Sequence, residues 1–242
     1  NSDHEGISSK FSAQINRQLS RRSRYALVLE AGRANGNLVY KRKGIARYES
    51  TFHGVAAHAG VDFQKGHSAV EEMAHWILAL QSATDLSKET TVNVGRAEGG
   101  VTISAVPGEA HASIDIRYYE KEEVDRVTGI MNELAAHPRT KGTHAEYTGG
   151  ITRPPMLPSE KTMQLCHWID MIGRELGIPF GWMASGGGSD GSFAAETGTP
   201  TIDGLGPVGG GAHSDDEYME IDTVIPRYRL LCRTIEKIIA SS

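Results

Sequence analysis

Two cysteines, Cys166 and Cys232, are all that the 242 residues contain. They are too few for a disulfide framework or a cysteine-based zinc site. Both fall in apolar helical patterns, which predicts buried structural thiols. No run approaches the roughly 18 apolar residues of a membrane span, so no membrane partner is expected. No basic block stands out and the formal net charge is −5, which argues against nucleic acid as a partner. No Gly-X-Y period exists despite 28 glycines, so the excess marks turns and backbone-lined sites rather than collagen. No initiator Met and no signal-peptide pattern precede Asn1-Ser2-Asp3-His4-Glu5. The chain reads as a fragment that starts mid-protein, so its targeting, cytoplasmic or periplasmic, is not written in these residues.

What is present is an alternation of strand and helix patterns. Residues 25–30 read as a buried strand ending in Glu30. Residues 45–53 and 110–119 alternate; in the second, Ala112, Ile114 and Ile116 face one way and His111, Ser113, Asp115 and Arg117 the other. Residues 91–97 and 101–106 flank Glu98-Gly99-Gly100 and read as a hairpin. Ser68 opens a capping box with Glu71, followed by Met73, Ala74, Ile77 and Leu80 on one face. Val124, Val127, Met131 and Leu134 mark a second helix over 121–135. This order predicts a small α/β sandwich with an antiparallel sheet. After Thr152-Arg153-Pro154-Pro155 the pattern changes. Ser159 caps a helix that runs through Cys166 and Leu176 and ends at Gly177. Short strands near 179–184 and 200–203, with a last helix through Ile225 and Ile238, predict a parallel sheet with covering helices.

Three features can carry chemistry: the acidic start at Asp3 and Glu5, Glu30 at a strand end, and His213 in a Gly-rich loop. Carboxylates with imidazole suit zinc or a similar divalent ion. Each also fits a plainer reading: a solvated turn, a surface acid, an exposed acidic loop. A competing motif is Gly187-Gly188-Ser189-Asp190-Gly191, which satisfies the G-x-S-x-G nucleophile elbow with His213 downstream. Four Ser/Gly residues separate Ser189 from the preceding strand pattern, whereas an elbow needs a tight strand–turn–helix.

Taken in order, the motifs resemble those of the dinuclear-zinc exopeptidase and amidohydrolase family of glutamate carboxypeptidase, aminoacylase and succinyl-diaminopimelate desuccinylase. The family's N-x-D-E-E-x-G-S segment appears as Asn1 to Ser8 and its strand ending in Glu-Pro as Val28-Leu29-Glu30-Ala31. The R-K-G entry to a lid domain is Arg42-Lys43-Gly44. The S-H-A-G motif is Ala57-His58-Ala59-Gly60, the N-x-x-P turn Ser104 to Pro107, and the D-x-R strand Asp115-Ile116-Arg117. The R-P segment is Arg153-Pro154, the G-G-G-T-D segment Gly186 to Asp190, and the H-S-x-x-E-x motif His213 to Tyr218. The nearest branch is glutamate-carboxypeptidase-like.

The resemblance implies an α/β fold: residues 1–44 and 153–242 as part of a zinc-peptidase catalytic domain, and 45–152 as an inserted α+β lid and dimerisation domain. It implies two zinc ions, with Glu5 and His213 on one and Glu30 on the second. The family's other two ligands come from an upstream His-x-Asp motif outside this chain. His4 occupies the position of the general-base Glu. His58 matches a His lent to a neighbouring copy to stabilise an oxyanion, and Arg117 the Arg that grips a substrate carboxylate. Ser104 stands where the family has a substrate-contacting Asn, and Arg153 and Gly187 match contacts to the acyl part. The implied activity is hydrolysis of an amide or peptide bond next to a free carboxylate, by a homodimer formed through 45–152. The alternative is a degenerate or truncated relative that dimerises without catalysing.

Overall fold

In a computed structural model that describes Asp3 and residues 9–241, the chain divides into two compact units. One is Asn1–Lys43 with Arg153–Ser242 and the other Gly44–Thr152. The first unit opens with α1 (Ser12–Ser20), β1 (Ala26–Leu27) and β2 (Leu38–Arg42). The second follows as β3 (Gly44–His53), β4 (Ala57–His58), α2 (Ala69–Ser82), β5 (Thr91–Gly99), β6 (Ala105–Val106), β7 (Glu109–Tyr118), α3 (Lys121–Ala136) and β8 (His144–Arg153). The chain then completes the first unit with α4 (Glu160–Leu176), β9 (Trp182–Ser185), α5 (Gly191–Glu196), β10 (Thr201–Ile202), β11 (Gly209–Gly210), β12 (Tyr218–Met219) and α6 (Val224–Ala240).

The second unit is a four-stranded sheet in the order β5-β7-β3-β8. β7 shows why it forms: Ala110, Ala112, Ile114, Ile116 and Tyr118 are buried on one side, the period-two pattern of a half-covered strand. Against that face pack Met73, Trp76 and Leu80 of α2 and Val124, Val127, Met131 and Leu134 of α3. Each such side chain stabilises the unit by about 1.5–3 kcal/mol on burial. Trp76 meets Phe52 edge-on at 5.2 Å. Ser68 Oγ accepts the Glu71 N–H at 3.1 Å, so the expected cap starts α2.

The expected hairpin of 91–97 with 101–106 does not form. β5 runs on to Gly99 and pairs antiparallel with β7, from Thr91↔Arg117 to Gly99↔Ala110. The chain leaves the sheet at Gly100, at φ +77°, and Val101 and Ile103 stand fully exposed. β7 offers β5 a longer run of ladder partners and a buried face, which 101–104 cannot match.

In the first unit β1 pairs parallel with β10 and β2 parallel with β9. An antiparallel bridge between Val39 and Asp203 joins the two pairs, so the sheet is mixed rather than purely parallel. Leu165, Cys166, Ile169 and Ile172 of α4 and Leu230 of α6 cover it, with Leu38 and Ile202 beneath. Ser159 caps α4 by accepting the Thr162 N–H at 3.2 Å, and Gly177 ends it at φ 67°. Cys166 is buried, and burial pushes its thiol up to about 12, as befits an inert structural thiol.

Candidate functional site

His4 and Glu5 lie outside the described residues. Asp3 is described: its carboxylate accepts the Phe11 N–H at 2.8 Å, the Ser12 N–H at 3.1 Å and the Ser12 hydroxyl at 2.5 Å. These bonds, the hydroxyl foremost, hold Asp3 below the ordinary carboxylate range. Asp3 therefore caps the start of α1, the task for which a short acidic side chain is suited.

In the first unit, Val28 to Glu30 continue from β1 alongside Asp203 to Gly206 after β10. Gly206 donates its N–H to the Glu30 carbonyl at 3.0 Å. A Cβ on Gly206 would fall 2.7 Å from that oxygen, so only glycine lets the two segments run this close. The Glu30 side chain is half-buried at the carboxyl end of β1, where α/β folds place their sites. His213 sits in the exposed turn linking β11 to β12, at φ 65°. That left-handed conformation is uncommon for a residue with a Cβ and collects at functional turns.

A buried polar frame underlies these loops. Arg42 Nε donates to Asp203 Oδ2 at 2.7 Å, the two side chains 2% and 0% exposed. Arg42 Nη1 donates to the Gly187 carbonyl at 3.0 Å and to Ser185 Oγ at 3.3 Å, which fastens the Gly-rich turn. Gly187 itself is exposed. Arg153 is 3% exposed. Its Nη1 donates to Asp190 Oδ1 at 2.6 Å, its Nη2 to Ser9 Oγ at 3.1 Å, and its guanidinium lies 5.3 Å from the Phe193 ring centre. In this arrangement Arg153 acts first as a buried brace on Asp190. Ser189 has no accessible surface, and its Oγ accepts the Gly191 N–H at 3.0 Å. It is a turn-closing hydroxyl, out of reach of a substrate.

In the second unit, β4 pairs antiparallel with β6, His58 opposite Ala105. The Ala59 N–H donates to the Ser104 carbonyl at 2.8 Å. Residues 46 positions apart in sequence thus stand side by side, both exposed. The Gly60 N–H donates to His58 Nδ1 at 3.1 Å. With Nδ1 accepting, the neutral ring carries its proton on Nε2, facing outward as a donor. Arg117 lies on the polar face of β7, its Nε 2.5 Å and Nη2 3.0 Å from the Asp115 carboxylate. Arg47 of β3 reaches the same carboxylate at 3.2 Å. Asp115 was legible as the residue two before Arg117 on one strand face. Asp203 and Asp190, partners of Arg42 and Arg153, carried no such local signal.

Among the described residues, no three of His, Cys, Asp and Glu come together as a metal site. No helix among these residues is long and apolar enough to cross a membrane.

Residues 40–143 match the peptidase dimerisation domain family. Carboxypeptidase G2 of Pseudomonas sp. (strain RS-16) is 28% identical over 194 residues, covering 79% of this chain and 47% of that protein. Protein YqjE of Bacillus subtilis is 27% identical over 217 residues, covering 88% and 57%. Among solved structures, aminopeptidase PepT of Bacillus cereus superposes with a TM-score of 0.80 at 23% identity, over 96% of this chain and 63% of that one. At that identity the likeness concerns the fold. The chain spans about half the length of the curated relatives it matches.

Proposed function

Starting from a chain that is a relative of the M20 peptidases and carries their dimerisation domain, we propose that the protein hydrolyses an amide or peptide bond next to a free carboxylate. The observation that carries this reading is that His58, on β4, and Ser104, in the turn just before β6, are brought side by side by the pairing of the two strands. Arg117 grips the substrate carboxylate, for which a planar guanidinium is suited. His58, with Nε2 as its donor, stabilises the oxyanion of the attacked carbonyl in a neighbouring copy. Ser104, with a single hydroxyl, makes a shorter contact to the same substrate. Residues 45–152 form the homodimer. Arg153 and Gly187 act on the acyl side through the Gly-rich turn. The motif resemblance implies zinc as the resident ion, with Glu5, Glu30 and His213 as this chain's candidate ligands. His4, at the general-base position, supports a second reading: a relative that dimerises and binds substrate with poor turnover.

The test supplies this chain together with the His-x-Asp ligands that the family resemblance implies. An N-acyl amino acid or dipeptide should be cleaved and its C-terminal amide left intact, and a strong chelator should stop the reaction. Equal cleavage of acid and amide would overturn the carboxylate assignment. Stoichiometric zinc without turnover would favour the second reading.

A further inference from the structure

The first unit contains a cleft lined by none of the candidate site residues above. It has a volume of about 480 Å³, within the usual range for small-ligand pockets. Its walls are the 34–36 loop, the segment after α4 and the start of α6, with Leu176, Ile178, Pro179 and Val208 as the apolar lining.

Arg227 is the unusual member of that lining. It is 4% exposed. Its Nη2 donates to the Gly36 carbonyl, whereas its Nη1 is buried with no hydrogen-bond partner. No carboxylate forms an ion pair with it among the described residues, and burial alone pushes its guanidinium below the ordinary value. Buried cations are ordinarily paired, because an uncompensated charge away from water is costly. Arg227 lines the cleft, so a ligand carboxylate there would bring the counter-charge that the described residues do not provide, without having to reach the enclosed Nη1. The exposed rim adds Glu220 and Asp222, with Arg229 beside them. Two rim acids disfavour a dianion such as phosphate, and buried Arg227 disfavours a simple amine. A buried positive end, an acidic mouth and apolar walls fit a zwitterion with an apolar side chain.

We propose that this cleft binds a free α-amino acid with an apolar side chain, its carboxylate on Arg227 and its ammonium towards Glu220 and Asp222. The site is separate from the proposed hydrolytic residues, and its occupancy does not depend on catalysis.

The test is calorimetric titration of the 242-residue chain with L-leucine, 4-methylpentanoate and 3-methylbutylamine. L-leucine should bind saturably with a Kd of about a millimolar or tighter. The compounds lacking the ammonium or the carboxylate should each bind at least about tenfold more weakly, since each loses a charge-assisted contact. Arg227→Gln should weaken L-leucine by at least about tenfold. Arg227 is buried, so the exposed Asp222→Lys gives an independent readout. It should weaken L-leucine and strengthen 4-methylpentanoate while the thermal midpoint is kept. Absence of saturable L-leucine binding, equal binding of any of the three compounds, or L-leucine binding unchanged by Asp222→Lys would each overturn the proposal.

Discussion

Asp115 receives both Nε and Nη2 of Arg117, two residues along the same strand, while Arg47 of β3 donates to the oxygen that also accepts Arg117 Nη2. The carboxylate therefore sets the plane of the Arg117 guanidinium before any substrate arrives. Such pre-organisation lowers the cost of ordering a long side chain on binding. In catalytically competent protein, Asp115→Asn should raise KM for a carboxylate substrate about tenfold and change kcat less, the loss of a charge-assisted contact. Arg117→Lys should do the same or more, because an ammonium cannot fork. Steady-state kinetics on acid and amide substrates check this: a merely structural role for Asp115 would depress both substrates alike.

A second carboxylate sets an acid limit for the second unit. Glu123, with a side chain 3% exposed, accepts Lys88 Nζ at 2.8 Å and Arg126 Nη2 at 2.7 Å. These bonds, Arg126 first, lower its value from 4.5 to about 2. A depressed value means the folded state holds the proton less tightly than the unfolded one. The stabilisation is fully present above about 4.5 and is lost as pH falls towards about 2. Thermal melts should show the midpoint falling through that window. Glu123→Gln should lower the midpoint at pH 7 by roughly 5 °C and flatten the acid dependence.

In the first unit, Arg42 and Asp203 are paired at 2.7 Å with almost no accessible surface. Removing one partner strands a buried charge, so Arg42→Met should cost about 3–5 kcal/mol in urea unfolding. Arg42→Met with Asp203→Leu should recover most of that loss, because an apolar pair of similar volume avoids the desolvation penalty. A double variant as unstable as the single one would mean that the Gly187 and Ser185 contacts of Arg42, rather than the ion pair, hold the turn.

How much of this was readable in advance follows the range of each interaction. Ser68 with Glu71, Ser159 with Thr162 and the Gly177 stop are local hydrogen-bond devices, and the structure shows each where the residue types placed it. The alternation of β7 was equally plain, since burial on one face leaves a period of two. Pairing was not. Val101 to Val106 has strand-like composition, yet β5 turns to β7 and leaves Ile103 exposed. The direction of β2 against β10 and the partners of Arg42 and Arg153 depend on segments that lie far along the chain, Asp190 being 37 residues from Arg153 and Asp203 161 from Arg42. In the candidate site, the family motifs singled out His58 and Ser104 separately, while their nearness comes from β4 meeting β6.

The last prediction separates the two hydrolytic chemistries that the sequence allows. Ser189 lies in a G-x-S-x-G pattern, but its hydroxyl is inaccessible and closes a turn onto the Gly191 N–H. The Ser192 N–H donates to its carbonyl at 3.2 Å, so the hydroxyl and the carbonyl of Ser189 both serve the start of α5. Ser189→Ala should therefore leave the rate within about threefold and cost about 1 kcal/mol of stability, the worth of one hydrogen bond. A serine nucleophile would behave otherwise, since removing one costs on the order of a million-fold in kcat. The measurement is kcat of Ser189→Ala beside the unaltered protein, each with and without a strong chelator. A rate that survives the substitution and falls on chelation fits the metallopeptidase reading. A rate that survives chelation and collapses in Ser189→Ala would show that the buried hydroxyl becomes exposed during turnover, and would place the chemistry on serine.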